Sequence, residues 1–117
     1  MKQNIVIVED DHDILELLIL ILEEEGFEVF GFDSINSVEE ILEAKPDLIL
    51  LDLWLINMSG EAIASVLKTD ERSREIPIIF ISAIHDLATI AGRCHVAAFI
   101  KKPFDCDHLV STVREFI

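Results

Sequence analysis

Apolar positions along the chain follow two alternating rhythms. Short unbroken runs recur at Ile5 to Val8, Leu48 to Leu51 and Ile78 to Ile81, bounded by polar or turn residues. Runs of this length and composition predict strands buried on both faces. Strands are expected over 4–9, 28–33, 47–53, 76–82 and 97–101, with Pro77 tolerated at the start of the fourth. Between them the apolar spacing changes to a helical period. Ile14, Leu17, Leu18, Ile21 and Leu22 occupy i, i+3, i+4, i+7 and i+8, the pattern of a helix facing a core. Asp11 or Asp13 can cap that helix, and it stops before Gly26. The same period turns Leu15, Ile19 and Leu20 away from the sheet. Ser37-Val38-Glu39-Glu40 is a capping box opening a second helix that ends before Pro46. A third helix is expected over 60–67, with Ala62, Ile63, Val66 and Leu67 inward, followed by a charged connection over 68–75. A weaker helix covers 87–94, and Asp105 caps a last one reaching Phe116.

Strands alternating with helices in this way predict an α/β fold, a doubly wound parallel sheet of five strands with helices on both faces. No linker, repeat or low-complexity segment divides the 117 residues, so one domain over 1–117 is expected. The apolar runs are too short to span a bilayer, and the N-terminus lacks the regions of a signal peptide, so a cytoplasmic location is expected. Twenty-three acidic residues against nine basic ones leave a formal charge of −14. That excess repels nucleic-acid phosphates and anionic membranes, so neither is an expected direct partner, whereas a divalent cation or a basic protein surface suits it. Cys94 and Cys106 have no metal-binding or redox spacing and read as reduced thiols. The four histidines show no ligand spacing.

One carboxylate stands apart. Asp52 closes the apolar run Leu48-Ile49-Leu50-Leu51, which delivers it to the carboxyl edge of the sheet, where ligands of open α/β folds bind. A helix cap or a solvated loop acid is the plain alternative. Glu9, Asp10 and Asp11 end the first strand, Ser82 ends the fourth and Lys102 follows the fifth, so these groups converge on the same edge. Crowded carboxylates repel one another and call for a cation, and an all-oxygen set suits a hard ion such as Mg2+. A hydroxyl and an ammonium opposite it could hold the remaining oxygens of a phosphoryl group.

The chain resembles a response regulator receiver domain of two-component signalling. The resemblance is carried by Ile5-Val-Ile-Val-Glu9-Asp10-Asp11, Asp47-Leu-Ile-Leu-Leu-Asp52-Leu53, Ile76-Pro-Ile-Ile-Phe-Ile-Ser82-Ala83 and Phe99-Ile-Lys-Lys102-Pro103-Phe104, in that order over nearly the whole chain. It implies a flavodoxin-like sheet in the strand order 2-1-3-4-5. It implies that Asp52 is the phosphoacceptor, taking its phosphoryl group from a sensor histidine kinase or a histidine phosphotransfer protein. By the same resemblance Glu9, Asp10, Asp52 and the backbone carbonyl of Trp54 bind Mg2+, Ser82 and Lys102 receive phosphoryl oxygens, and the Lys102-Pro103 bond is cis. Ser82 and Phe99 form a switch that remodels the face of the fourth helix, fifth strand and fifth helix for a downstream protein target or output domain. On this reading the chain is a signalling module and not an enzyme.

The loop after Asp52 departs from the family pattern. Relatives often carry proline at the position of Ile56 and aspartate near Ser59, so a more mobile loop is expected. The glycine usual before the fifth strand is replaced by His95-Val96-Ala97-Ala98. Trp54 and Ile84, two residues beyond Asp52 and Ser82, are bulky and apolar and are expected to shield the site from water, slowing loss of the phosphoryl group. Leu15, Ile19 and Leu20 suggest a docking surface for the helices of a kinase or phosphotransfer protein, or the face of a homodimer. Three other readings remain. A phosphohydrolase of the haloacid dehalogenase type wants a second acid where Trp54 stands. A nucleotide- or flavin-binding domain wants a glycine-rich turn after the first strand. A degenerate, unphosphorylated receiver is opposed by the intact set Asp10, Asp52, Ser82 and Lys102.

Overall fold

The computed structural model of the chain describes residues 2–55 and 58–117. Its elements run β1 (Asn4–Val8), α1 (His12–Glu24), β2 (Glu28–Phe32), α2 (Val38–Glu43), β3 (Leu48–Asp52), α3 (Gly60–Thr69), β4 (Ile78–Ser82), α4 (Leu87–Arg93), β5 (Ala98–Lys101) and α5 (Cys106–Phe116). All strand pairs are parallel and the sheet order is β2-β1-β3-β4-β5. The expected doubly wound sheet is therefore present, with β1, β3 and β4 as its centre.

Alternation along each strand sorts the core into two layers. Val6, Val8, Ile49, Leu51, Ile78 and Phe80 point to one face, where Ile41 of α2, Ile63 and Leu67 of α3 and Leu87 and Ala91 of α4 cover them. Ile5, Ile7, Leu48, Leu50, Ile79 and Ile81 point to the other, against Leu18 and Leu22 of α1 and Leu109 and Val113 of α5. This is why the central strands read as unbroken apolar runs.

Helix starts follow the capping chemistry. Asp11 Oδ1, and not Asp13, accepts the backbone N–H groups of Asp13 and Ile14 at 3.0 and 3.2 Å. Ser37 and Glu40 form the capping box, Ser59 Oγ caps α3 and Asp105 caps α5. The charged connection is organised by Arg72, whose guanidinium bridges Glu39 and Asp70 at 2.6 and 2.7 Å and holds the Asp70 carboxyl down at about 2.

Two helices are rolled relative to expectation. In α1, Leu18 and Leu22 are fully buried, Ile14, Leu15, Ile19 and Ile21 pack against the core, and Leu17 and Leu20 are 46% and 56% exposed. Leu15 and Ile19 are thus not free for docking, and Leu17 is not core. The Leu15 and Ile19 side chains fill the space over Gly31 of β2, where a Cβ would stand 2.6 Å from Ile19 Cδ1 and 3.1 Å from Leu15 Cδ1. In α3, Ile63, Ala64 and Leu67 are buried whereas Ala62 and Val66 face outward. The mobility expected around Ile56 falls outside the described residues.

Candidate functional site

The ends of β1, β3 and β4 and the residue after β5 meet in a cleft of about 460 Å3 lined by Glu9, Asp10, Asp11, Ile14, Asp52, Trp54, Ser82, Ala83, Ile84 and Lys102. Sheet register produces this meeting. Val8 pairs with Leu51, Asp52 with Ile81, and Ser82 with Lys101, so the last residues of the three central strands are stepped by one residue from each strand to the next. The Lys102 N–H donates to Ser82 O at 2.9 Å, which continues the ladder one residue beyond β5 and turns Lys102 to the cleft, while Lys101 is exposed. The Lys102-Pro103 peptide is cis.

Glu9 is fully buried, Asp52 is 4% exposed and Ser82 is 3% exposed. Carboxylate oxygens of Glu9, Asp10 and Asp52 all lie within 4.8 Å of one another. Lys102 Nζ stands 2.6 Å from Glu9 Oε1 and 3.7 Å from Asp52 Oδ2. The approach to Glu9 is close but lacks hydrogen-bond geometry, so Glu9 Oε1 is a buried oxygen without a hydrogen-bond partner. Burial first, and then the neighbouring Glu9 carboxylate, push the Asp52 carboxyl from its ordinary range up to about 7; Lys102 and the Trp54 N–H pull the other way. A cation among these oxygens would oppose both causes by favouring the ionised carboxylates.

The backbone around Asp52 is fixed from both sides. Trp54 N–H donates to Asp52 Oδ1 at 3.3 Å, and Trp54 forms an antiparallel bridge with Ser59. The Gly60 N–H donates to Leu53 O at 2.9 Å, and a Cβ on Gly60 would lie 2.3 Å from Asp52 O, so only glycine lets α3 start against the strand end. Ser82 Oγ accepts the N–H of Ile84 at 3.2 Å, which orients the hydroxyl at the cleft edge.

Of the residues singled out in the sequence, Glu9, Asp10, Asp52, Trp54, Ser82 and Lys102 come together here. Phe99 does not line the cleft; it is 42% exposed on β5, where it pairs in register with Phe80. Ile84 and Trp54 do flank the site, but Trp54 is 73% exposed and stands at the mouth, not over Asp52 as a closed cover. Ile14 and Ala83 are wall residues that the sequence did not single out. Ile14 had a signal, since it lies in the first turn of a helix that begins at the acidic end of β1.

The family model described as "Response regulator receiver domain" matches residues 5–114. The DNA-binding response regulator MtrA of Mycolicibacterium paratuberculosis is 36% identical over 97% of this chain and 51% of its own length. The chain thus spans about half the length of the curated relatives of this kind that it matches. Among solved structures, the signal receiver domain of a histidine kinase from Syntrophus aciditrophicus aligns with a TM-score of 0.83 at 30% identity, covering 97% of this chain and 89% of that one. The receiver domain of a sensor histidine kinase from Pseudomonas aeruginosa, which has a magnesium ion coordinated in its active-site cleft, shares the fold with a TM-score of 0.89 at 22% identity, covering 99% and 98%. No described helix is long and apolar enough to cross a membrane.

Proposed function

Because the chain belongs to the response regulator receiver domain family, the phosphoacceptor modules of two-component signalling, we propose that Asp52 is its phosphoacceptor and that residues 1–117 act as one receiver unit. The observation that carries the reading is the meeting of Glu9, Asp10, Asp52, Ser82 and Lys102 in one cleft, where the buried Glu9 Oε1 is faced by the Lys102 ammonium at 2.6 Å. That donor set fits a hard divalent cation: three carboxylates within reach of one another, all oxygen, no thiol or imidazole. Glu9, Asp10, Asp52 and the Trp54 carbonyl would hold Mg2+, which supplies charge neutralisation for phosphoryl transfer.

The rest is the work of the chain. Asp52 presents an oxygen to the phosphorus of a phosphohistidine on a sensor kinase or phosphotransfer protein. Lys102, 3.7 Å from Asp52 Oδ2, is placed to pair with one oxygen of the acyl phosphate. The Ser82 hydroxyl donates a hydrogen bond to another. In doing so it moves toward the phosphoryl group, and Phe99 turns inward from its exposed position, remodelling the face of α4, β5 and α5. The output is contact with a downstream protein or a following domain. The acidic surface disfavours nucleic acid as a direct partner of this unit, and relatives named as DNA-binding are about twice its length.

The test is intact mass after incubation with Mg2+ and acetyl phosphate. The wild type is expected to gain one phosphoryl group that Asp52→Asn does not; no gain in the wild type rejects the assignment. Kinase docking falls to the exposed Leu17 and Leu20 of α1, flanked by the exposed acids Asp13, Glu16, Glu23 and Glu24. Leu20→Asp is expected to slow transfer from a phosphorylated histidine domain severalfold while leaving loading by acetyl phosphate and the melting temperature unchanged. An unchanged protein-to-protein rate rejects docking there.

A further inference from the structure

A second group of metal-ligating side chains stands at the outer edge of the sheet. The histidines have no ligand spacing among themselves, but His12 and Glu16 are four residues apart on α1, so the helical period brings them to one face. Both line a cleft of about 370 Å3 between α1 and the end of β2, with Asp33, the residue after β2, across from them. This cleft shares no lining residue with that of Asp52. His12 Nε2 lies 2.8 Å from Asp33 Oδ2, and the two side chains are 72% and 53% exposed, open to an ion from solvent.

The spacing of these donors is close to that of ligands on one ion. Two ligands of a tetrahedral zinc ion, each bound at about 2.0–2.1 Å, stand roughly 3.3 Å apart. An opening of about half an ångström would therefore let a metal ion take the place of the hydrogen shared by His12 and Asp33. The backbone on both sides is already anchored. Asp11 caps α1 through the Asp13 and Ile14 N–H groups, and the Glu9 N–H donates to Phe32 O at 3.0 Å, holding the end of β2 against β1. Leu15 and Ile19 pack over Gly31 in the floor of the cleft. Neither the helix start nor the strand end has to move for the donors to meet. Glu16 stands farther from the pair, and its exposed side chain closes the third bond by rotation.

We propose that His12, Glu16 and Asp33 form a second cation site, one that takes a borderline divalent ion such as Zn2+. One imidazole and two carboxylates suit such an ion better than Mg2+, which prefers oxygen alone. His12 binds through the Nε2 lone pair with its proton on Nδ1, Glu16 and Asp33 supply one oxygen each, and water completes the shell. The bound ion pins the first turn of α1 to the end of β2. The site is independent of the reading of Asp52. A surface ion pair alone would also hold His12 beside Asp33, so zinc binding is what separates the two.

The experiment is calorimetric titration of the reduced protein with Zn2+ in saturating Mg2+, on the wild type, His12→Ala, Glu16→Gln and Asp33→Asn. Asp52→Asn, Cys106→Ser and His108→Ala control for zinc held elsewhere. The wild type is expected to bind one Zn2+ with an affinity that drops at least about tenfold in each of the first three variants and is retained in the three controls. Zn2+ is also expected to raise the melting temperature of the wild type and not that of His12→Ala. Glu16 is exposed, so Glu16→Gln tests the loss of a ligand without disturbing the fold. No zinc binding by the wild type, an affinity indifferent to His12→Ala, Asp33→Asn or Glu16→Gln, or binding that disappears in one of the controls overturns the proposal.

Discussion

Asp52 carries a thermodynamic signature that can be read without any phosphodonor. Its carboxyl is raised to about 7 by burial and then by Glu9, so the folded state binds this proton more tightly than the unfolded chain. The associated stability is complete below the ordinary carboxylate pKa of about 4 and is lost as pH rises through about 7, falling by roughly 1.4 kcal/mol for each pH unit between the two. Without metal, the melting temperature of the wild type is expected to fall between pH 5 and pH 8 relative to Asp52→Asn, and Mg2+ at pH 8 should recover most of the difference. Parallel curves for the two proteins would refute this. At this scale the sequence was informative about chemistry and silent about partners. Acids and a lysine at strand ends could be placed on one edge because strand alternation and the parallel order bring them there. That Lys102 lies nearer Glu9 than Asp52, at 2.6 against 3.7 Å, depends on side-chain reach, which no spacing rule encodes.

Elements were legible where one physical rule dominated and misread where two competed. Buried central strands and capped helix starts follow from local chemistry, and both were placed closely. The roll of α1 was not, because an apolar stripe of Ile14, Leu17, Leu18, Ile21 and Leu22 and one of Leu15, Leu18, Ile19 and Leu22 are equally good helical faces. In the structure Leu15 and Ile19 occupy the space left over Gly31 on the neighbouring strand, a tertiary contact that no helical period encodes. Glycines also supply a paired prediction. A Cβ on Gly60 would meet Asp52 O at 2.3 Å and Leu53 Cα at 2.7 Å, whereas one on Gly92 in α4 meets nothing within 4 Å. Gly60→Ala is expected to destabilise the fold by about 1–3 kcal/mol or more and to disturb phosphorylation through the displaced strand end. Gly92→Ala is expected to stabilise it by about 0.4–1 kcal/mol. Urea denaturation of both variants checks the signs, and a neutral Gly60→Ala would contradict the close approach.

For the molecule as a whole, the topology distributes rigidity unevenly. β3 and β4 are buried at every position and β1 at all but its first, whereas the edge strands β2 and β5 are largely open. The fold class was legible because this contrast is written as unbroken apolar runs at the centre and mixed ones at the edges. The strand order came from the resemblance, since composition does not say which strand lies beside which. The placement of Asp52 and Ser82 on the centre and of Phe99 on an edge then predicts two classes of backbone amide. Those of Leu50, Leu51, Phe80 and Ile81 should exchange with deuterium only on global opening, and those of β5 orders of magnitude sooner through local fraying. Equal protection of β4 and β5 would contradict it. A receiver built this way keeps its reacting groups on the part of the chain that opens last and its responding aromatic on a part that opens cheaply. A perturbation too small to loosen the centre can therefore still repopulate the edge.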